Sequence, residues 1–169
     1  MKPKSTKVHL SAATLILVTD ALILGQGVAT TLIAVWMVAI NLISIATGLR
    51  KKAKNPEANR AHLVGIYATL WLSVIAVITA NNQIATMRAE SVISAIKLYK
   101  ENHQQYPETL SALTPDLLQS IPRAKFTLTY HSFEYHRLPN EDVIFFYTTL
   151  PPFRRRTYDF KNDRWMALD

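Results

Sequence analysis

The chain has 169 residues, no cysteine and a formal charge of +7. The missing cysteine excludes disulfides, thiol nucleophiles and cysteine metal sites, though it fixes no compartment. The charge excludes a general phosphate-binding field in the C-terminal half. Residues 1–80 hold eight Lys/Arg against two acids, whereas residues 81–169 hold eleven against ten. The excess lies beside apolar segments, where basic residues orient a membrane protein. The lipid bilayer is therefore an expected partner, and nucleic acid is not.

Residues 8–49 contain one carboxylate, Asp20, and no lysine or arginine. Lys2, Lys4 and Lys7 precede this stretch; Arg50, Lys51, Lys52 and Lys54 follow it. As one helix it would be roughly 63 Å long. A bilayer core is only about 30 Å thick. The stretch therefore reads as two spans joined by a turn at Gly25-Gln26-Gly27, with both basic flanks in the cytoplasm. The first segment, residues 8–24, has the basic start and apolar run of a secretory signal, but Asp20 favours an uncleaved helix. The second segment is residues 28–49. A basic loop, residues 50–60, follows, with Asn55-Pro56 as a breaker. A third segment, residues 61–80, carries the chain outward and ends at Asn81-Asn82-Gln83.

Beyond residue 80 the pattern stays helical. Ile84, Met87, Val92, Ala95, Ile96 and Tyr99 recur at three- and four-residue steps, opposite Glu90, Ser94, Lys97 and Glu101. Neither proline nor glycine interrupts residues 66–102. One continuous helix of about 40 residues is expected, with Asn102 as its C-cap. Short helical turns follow. Pro107-Glu108 opens residues 109–113, and Thr114-Pro115 reads as an N-cap with proline at the first helical position. From Lys125 the period becomes two. Strands are expected at residues 125–130, 133–136, 143–149, 156–160 and 165–168. All four glycines lie at or before Gly65, so the turns of the sheet favour Asn140 and Asn162 at positive φ. The resulting organisation is a transmembrane hairpin with a cytoplasmic loop (1–60), a third span continuing into an amphipathic helix (61–103), and an antiparallel sheet region (104–169) packing on residues 84–103.

A long helix, half apolar and half amphipathic, runs here into Tyr99-Lys100-Glu101-Asn102-His103-Gln104-Gln105-Tyr106-Pro107-Glu108-Thr109-Leu110-Ser111-Ala112-Leu113. This arrangement resembles type IV pilins, and most of all the pseudopilins of type II secretion. The resemblance covers residues 61–169 and implies a pilin-like α+β fold, with an antiparallel sheet packed on the helix. The leader-peptidase pattern of that family is missing. Its candidate glycine, Gly65, is followed by Ile66, and Leu70 stands where a glutamate belongs. The resemblance thus implies a pilin-like domain on a permanent membrane base rather than a filament subunit.

The candidate sites are few. Asp20 and Asn41 are the intramembrane polar residues. Asp20 lies about 8 Å of helical rise from the turn. It reads as a polar clasp near the surface, reaching Gln26, Thr30 or Thr31, with an intramembrane functional acid as the alternative. Asn41 reads as an interhelical hydrogen bond. Trp36 and Trp71, both mid-span, read as packing between helices, with a quinone or lipid contact as the alternative. His103, His131 and His136 lack metal-ligand spacing. The adjacency of His131 and Ser132 is not a nucleophile–base geometry. Arg154, Arg155 and Arg156, followed by Tyr158 and Phe160, form the sharpest charge cluster of the outer part. They read either as a solvated turn or as a basic-aromatic patch for anionic headgroups or an acidic partner surface.

No catalytic residue, cofactor or metal is expected. The expectation is a non-enzymatic protein of a bacterial inner membrane, with its N-terminus cytoplasmic and its C-terminal domain periplasmic. That domain would be presented to a membrane or periplasmic protein partner in a pilus- or secretion-type assembly. The alternative is a small accessory subunit of a larger transport or respiratory complex.

Overall fold

A computed structural model describes residues 3–25, 27–47, 56–139, 142–150 and 154–168. Its elements are α1 (Pro3–Leu17), a π-helical segment (Val18–Leu24), α2 (Val28–Ala46), α3 (Pro56–His103), a 3₁₀ turn (Leu110–Leu113), and strands β1 (Glu134–Arg137), β2 (Val143–Leu150), β3 (Arg154–Asp159) and β4 (Arg164–Leu168). The chain divides into two compact units, Met1–Thr79 and Ala80–Asp169.

Among the described residues, three helices contain stretches long and apolar enough to cross a membrane: Lys7–Leu24 and Val28–Ala46 in the first unit, and Arg60–His103, which continues into the second. Only 17% of each apolar window is buried inside the chain, so most of its apolar surface needs a covering from outside. The break between the first two helices falls at Gly25 and Gly27, both at φ +67°. Only glycine adopts that conformation readily, which is why the turn forms there. A Cβ on Gly27 would lie 2.3 Å from Ile78 Cδ1. Ala13, Tyr67 and Leu70 form a small buried cluster, joined by Leu17, Met37, Val38 and Ile66. Pro56, expected to break the chain, instead opens α3. Proline suits the first helical position because its missing N–H has no intrahelical partner there.

Helix α3 is a single element of 48 residues. Its C-terminal part belongs to the second unit and forms one layer of that unit's core. The other layer is a four-stranded antiparallel meander in the order β1-β2-β3-β4. Phe145 pairs with Tyr158 and Tyr147 with Arg156, while Tyr158 also pairs with Trp165. The face that α3 buries matches the expected one at Val92, Ala95 and Ile96, with Tyr99 packed against the core, and departs from it in the first turns: Ala85 and Ala89 are buried there, whereas Met87 is 64% exposed and Ile84 only half-buried. The reason is steric. Ala85 and Ala89 share one core with the large Phe145 and Tyr147, and small side chains on the helix leave room for large ones from the sheet. Tyr147 also hydrogen-bonds its hydroxyl to Thr86 Oγ1 at 2.8 Å.

Four further expectations are corrected. Helix α3 ends one residue beyond Asn102, and Gln104 (φ 59°) takes the left-handed position. Thr114 does not cap a following helix. Its N–H and Oγ1 both donate backwards to Ser111 O, which closes the preceding turn. Asp163, not Asn162, carries positive φ in the β3–β4 turn, because Asn162 is held by its backbone and side-chain bonds to Asp159. Asn140 lies outside the described residues. Residues 125–130 form a closed loop rather than a strand, with Tyr130 at φ 52°. Hydrogen bonds from the Ala124 and Lys125 N–H groups to His131 O close it, at 2.6 and 3.3 Å. Backbone groups tied across the loop are lost to a sheet ladder.

Candidate interaction site

Asp20 lies in the π-helical segment and is buried. Its Oδ2 accepts the Thr30 N–H at 2.7 Å. Gly27 is the N-cap of α2, so Thr30 is the third residue of that helix and its N–H has no intrahelical acceptor. The carboxylate thus caps α2 from a distance of ten residues in sequence, where the positive end of the helix dipole favours it. Asp20 Oδ1 and Thr30 Oγ1 are buried without a hydrogen-bond partner. Asn41 differs from expectation. Its Nδ2 donates to Met37 O, one turn back on the same helix, at 2.7 Å, because that carbonyl is the nearest acceptor in an apolar helix. Trp36 is 68% exposed and does not pack between helices within this chain; Trp71 is also exposed.

Sequence patterning did not reveal two other features of the first unit. His9 Nδ1 lies 3.1 Å from the Tyr67 hydroxyl, and the rings meet edge to face. Ala61, Gly65, Thr69 and Ser73 recur at four-residue steps along α3 and line an open groove of about 510 Å³ with Ala13 and Thr14. Nothing lies within 4 Å of a Cβ built on Gly65.

In the second unit, the five residues of the basic-aromatic cluster are divided between solvent and core, four of them on β3 and Phe160 just beyond it. Arg154 and Arg155 are exposed at the start of β3. The Arg155 guanidinium lies over Phe146, 5.2 Å from its centroid. Arg156 belongs to the face turned toward α3, where it donates to Thr86 Oγ1 at 3.3 Å and lies 4.9 Å over Trp165. Tyr158 is buried, and Phe160 packs edge to face on Tyr106 and Tyr158. The exposed part of the cluster is therefore Arg154 and Arg155.

Tyr158 hydroxyl, Lys97 Nζ and Asp163 Oδ1 form a hydrogen-bonded triad. The Asp163 carboxylate raises the Lys97 ammonium above its ordinary range, and Lys97 in turn lowers Asp163. Both charged groups are well exposed, so the triad is a weak staple between helix and sheet. Near the C-terminal end of α3, an open cleft of about 510 Å³ is lined by Lys100, Tyr106, Asp142, Asp159 and Lys161. Lys161 Nζ and Asp142 Oδ1 on its wall pair at 2.6 Å.

The histidines are engaged locally. His103 Nδ1 lies 3.0 Å from Tyr99 O, with its ring stacked on that tyrosine. His131 Nδ1 lies 2.9 Å from Leu128 O, while Ser132 Oγ donates to Glu134 at 3.3 Å. His131 and Ser132 therefore face different partners. Among the described residues no three His, Asp or Glu side chains converge on a common point.

The loop 124–131 is the feature that sequence periodicity misread most. Its alternation survives in a loop instead of a strand. Ala124, Lys125 and Thr127 are buried, while Phe126 and Leu128 are each 65% exposed and Tyr130 is also exposed. Asn81 Oδ1 accepts the Phe126 N–H at 3.0 Å. Lys125 Nζ donates to Thr149 O at 2.9 Å, and burial lowers this ammonium to about 8. Arg88 lies over the Phe126 ring at 4.4 Å and donates to Arg123 O at 2.9 Å.

No family model, curated protein or solved structure matches this chain.

Proposed function

We propose that this chain is a non-enzymatic inner-membrane protein whose three helices hold a periplasmic, pilin-like α+β domain. The domain is presented to a partner in a pilus- or secretion-type envelope assembly. The observation that carries this reading is helix α3. It is one helix, apolar enough to span a bilayer and then buried through Ala85, Ala89, Val92, Ile93 and Ile96 under a four-stranded meander. That combination is what the pilin resemblance implies. The two preceding apolar helices turn it from an extractable subunit into a fixed base. The positive-inside rule sets its orientation, since the basic residues around both ends of the first hairpin belong in the cytoplasm. Arg154 and Arg155 are the exposed basic side chains offered to an acidic partner surface.

The groove beside Ala61, Gly65, Thr69 and Ser73 favours a second reading. Small residues at four-residue steps let another helix approach closely in a membrane. In that case the chain is an accessory subunit of a larger membrane complex, held through its spans.

Photo-crosslinkers introduced singly along the full chain separate the two. Crosslinks to an envelope-assembly component from residues 84–169, weakened by charge reversal at Arg154 and Arg155, support the first reading. Crosslinks confined to residues 8–80 contradict it and support the second.

A further inference from the structure

We propose that loop 124–131 is a bilayer-interface anchor: Phe126 and Leu128 insert among the lipid headgroups while neighbouring arginines bind the phosphates. The inference rests on reading α3 as membrane-spanning.

Three observations converge on it. First, the loop holds its apolar side chains outward by construction. Lys125 and Thr127 are fixed inside, the lysine by Thr149 O and the threonine by a 2.8 Å bond to Thr129 O. Hydrogen bonds to His131 O tie the loop ends together. Phe126 and Leu128 are consequently presented to whatever lies outside, and water is the unfavourable choice.

Second, the loop is pinned to the place where the apolar run of α3 stops. Asn81 directly follows Ala80, the last residue of that run, and Asn81 Oδ1 holds the Phe126 N–H. Arg88 lies about 12 Å of helical rise beyond Ala80 and covers the Phe126 ring. The exposed phenylalanine is thus held by the first polar residue after the span and by the first arginine. The chain itself brings a bilayer surface to this point, whereas any protein partner would have to be recruited there.

Third, the charge surrounding the loop suits an anionic surface. Residues 81–89, 123–132, 147–150 and 154–157 contain no carboxylate, and of their basic residues Arg88, Arg123, Arg154 and Arg155 lie outside the core, Lys125 being buried and Arg156 turned toward α3. Lys125 and Arg154 both meet Thr149, whose Oγ1 donates to Arg154 O at 3.1 Å, so the start of β3 lies beside the loop. The near-neutral total of the second unit conceals a basic end. Arginine beside an aromatic side chain is a good match for a phosphate above an acyl chain.

The absence of cysteine allows single-cysteine variants of the full chain to report one position each. Leu128→Cys, Glu101→Cys and Leu72→Cys would carry a nitrobenzoxadiazole probe in nanodiscs containing phosphatidylglycerol. Quenching by lipids bearing a shallow nitroxide is then measured. The expected result is severalfold stronger quenching, with a blue-shifted emission, at position 128 than at position 101. Phe126→Cys should behave as position 128 does. A water-like probe at positions 126 and 128, alongside a strongly quenched probe at 72, would overturn the anchor and leave the span intact. A water-like probe at 72 would remove the membrane reading, and the anchor with it. Shielding of position 128 in native membranes but not in nanodiscs would also overturn the proposal, assigning the loop to a protein partner.

Discussion

Asp20 and Lys125 are buried ionisable side chains on opposite sides of the division between units, and they do different work. Asp20 caps α2 through the Thr30 N–H, a role that needs an acceptor oxygen more than a charge. Asp20→Asn should therefore unfold close to the unsubstituted chain, while Asp20→Ala should lose about 1 kcal/mol of stability. Unfolding of the full chain in mixed micelles measures this. Equal losses in both variants would show that the charge itself matters. Lys125 carries a penalty instead, since burial lowers its pKa from 10.5 to about 8. Between those values the unfolded chain holds the proton and the folded chain does not, so this group makes stability rise with pH across the window. Below pH 8 both states hold it and the folded chain carries the full cost, about 3 kcal/mol. Burial also holds the Tyr135 phenol above its ordinary value, which opposes the rise once unfolded tyrosines ionise near pH 10. Thermal unfolding followed between about pH 8 and pH 10 isolates the lysine. Lys125→Met should abolish the rise and stabilise the chain at pH 7 by about 1–3 kcal/mol. A pH profile unchanged by the substitution would contradict the assignment.

At the scale of elements, the two described glycines that structure tests most sharply behave oppositely. Gly27 sits at φ +67° in the hairpin turn with Ile78 against the position of a Cβ, whereas Gly65 lies in a helix with open space around it. Gly27→Ala should cost about 1–2 kcal/mol, and Gly65→Ala should cost nothing or add up to about 1 kcal/mol. Paired melting curves check the contrast; equal effects would contradict the turn geometry. The helical hairpin, the unbroken α3 and the meander of β1–β4 were all legible from apolar run length, uninterrupted periodicity and separator residues. The face of α3 was harder to read. Periodicity weights large side chains such as Met87, while close packing with the sheet selected Ala85 and Ala89. Residues 125–130 were misread for a different reason. Period two states that side chains alternate but not that the backbone joins a ladder, and here it closes on itself through His131 O with Lys125 turned inward. The basic-aromatic cluster was also divided by the fold. Arg155 faces away from Arg156 and Tyr158 by strand alternation, and Arg154 is exposed at the strand's start beside a register irregularity, while Arg156 and Tyr158 turn toward the helix.

At the scale of the whole molecule, the apolar windows bury little of themselves within the chain, and the second unit builds its core from one helix layer and one sheet. These features support a membrane base carrying a small folded domain. The side of the membrane proposed for that domain rests on charge placement, and the proposed periplasmic partner depends on it. Cysteine-accessibility labelling of intact cells tests it directly, using Ala53→Cys in the basic loop and Asn140→Cys beyond the third span. The account predicts that an impermeant maleimide labels position 140 from the periplasm and reaches position 53 only after the inner membrane is opened. Labelling of position 53 from the periplasm, with position 140 protected, would contradict it.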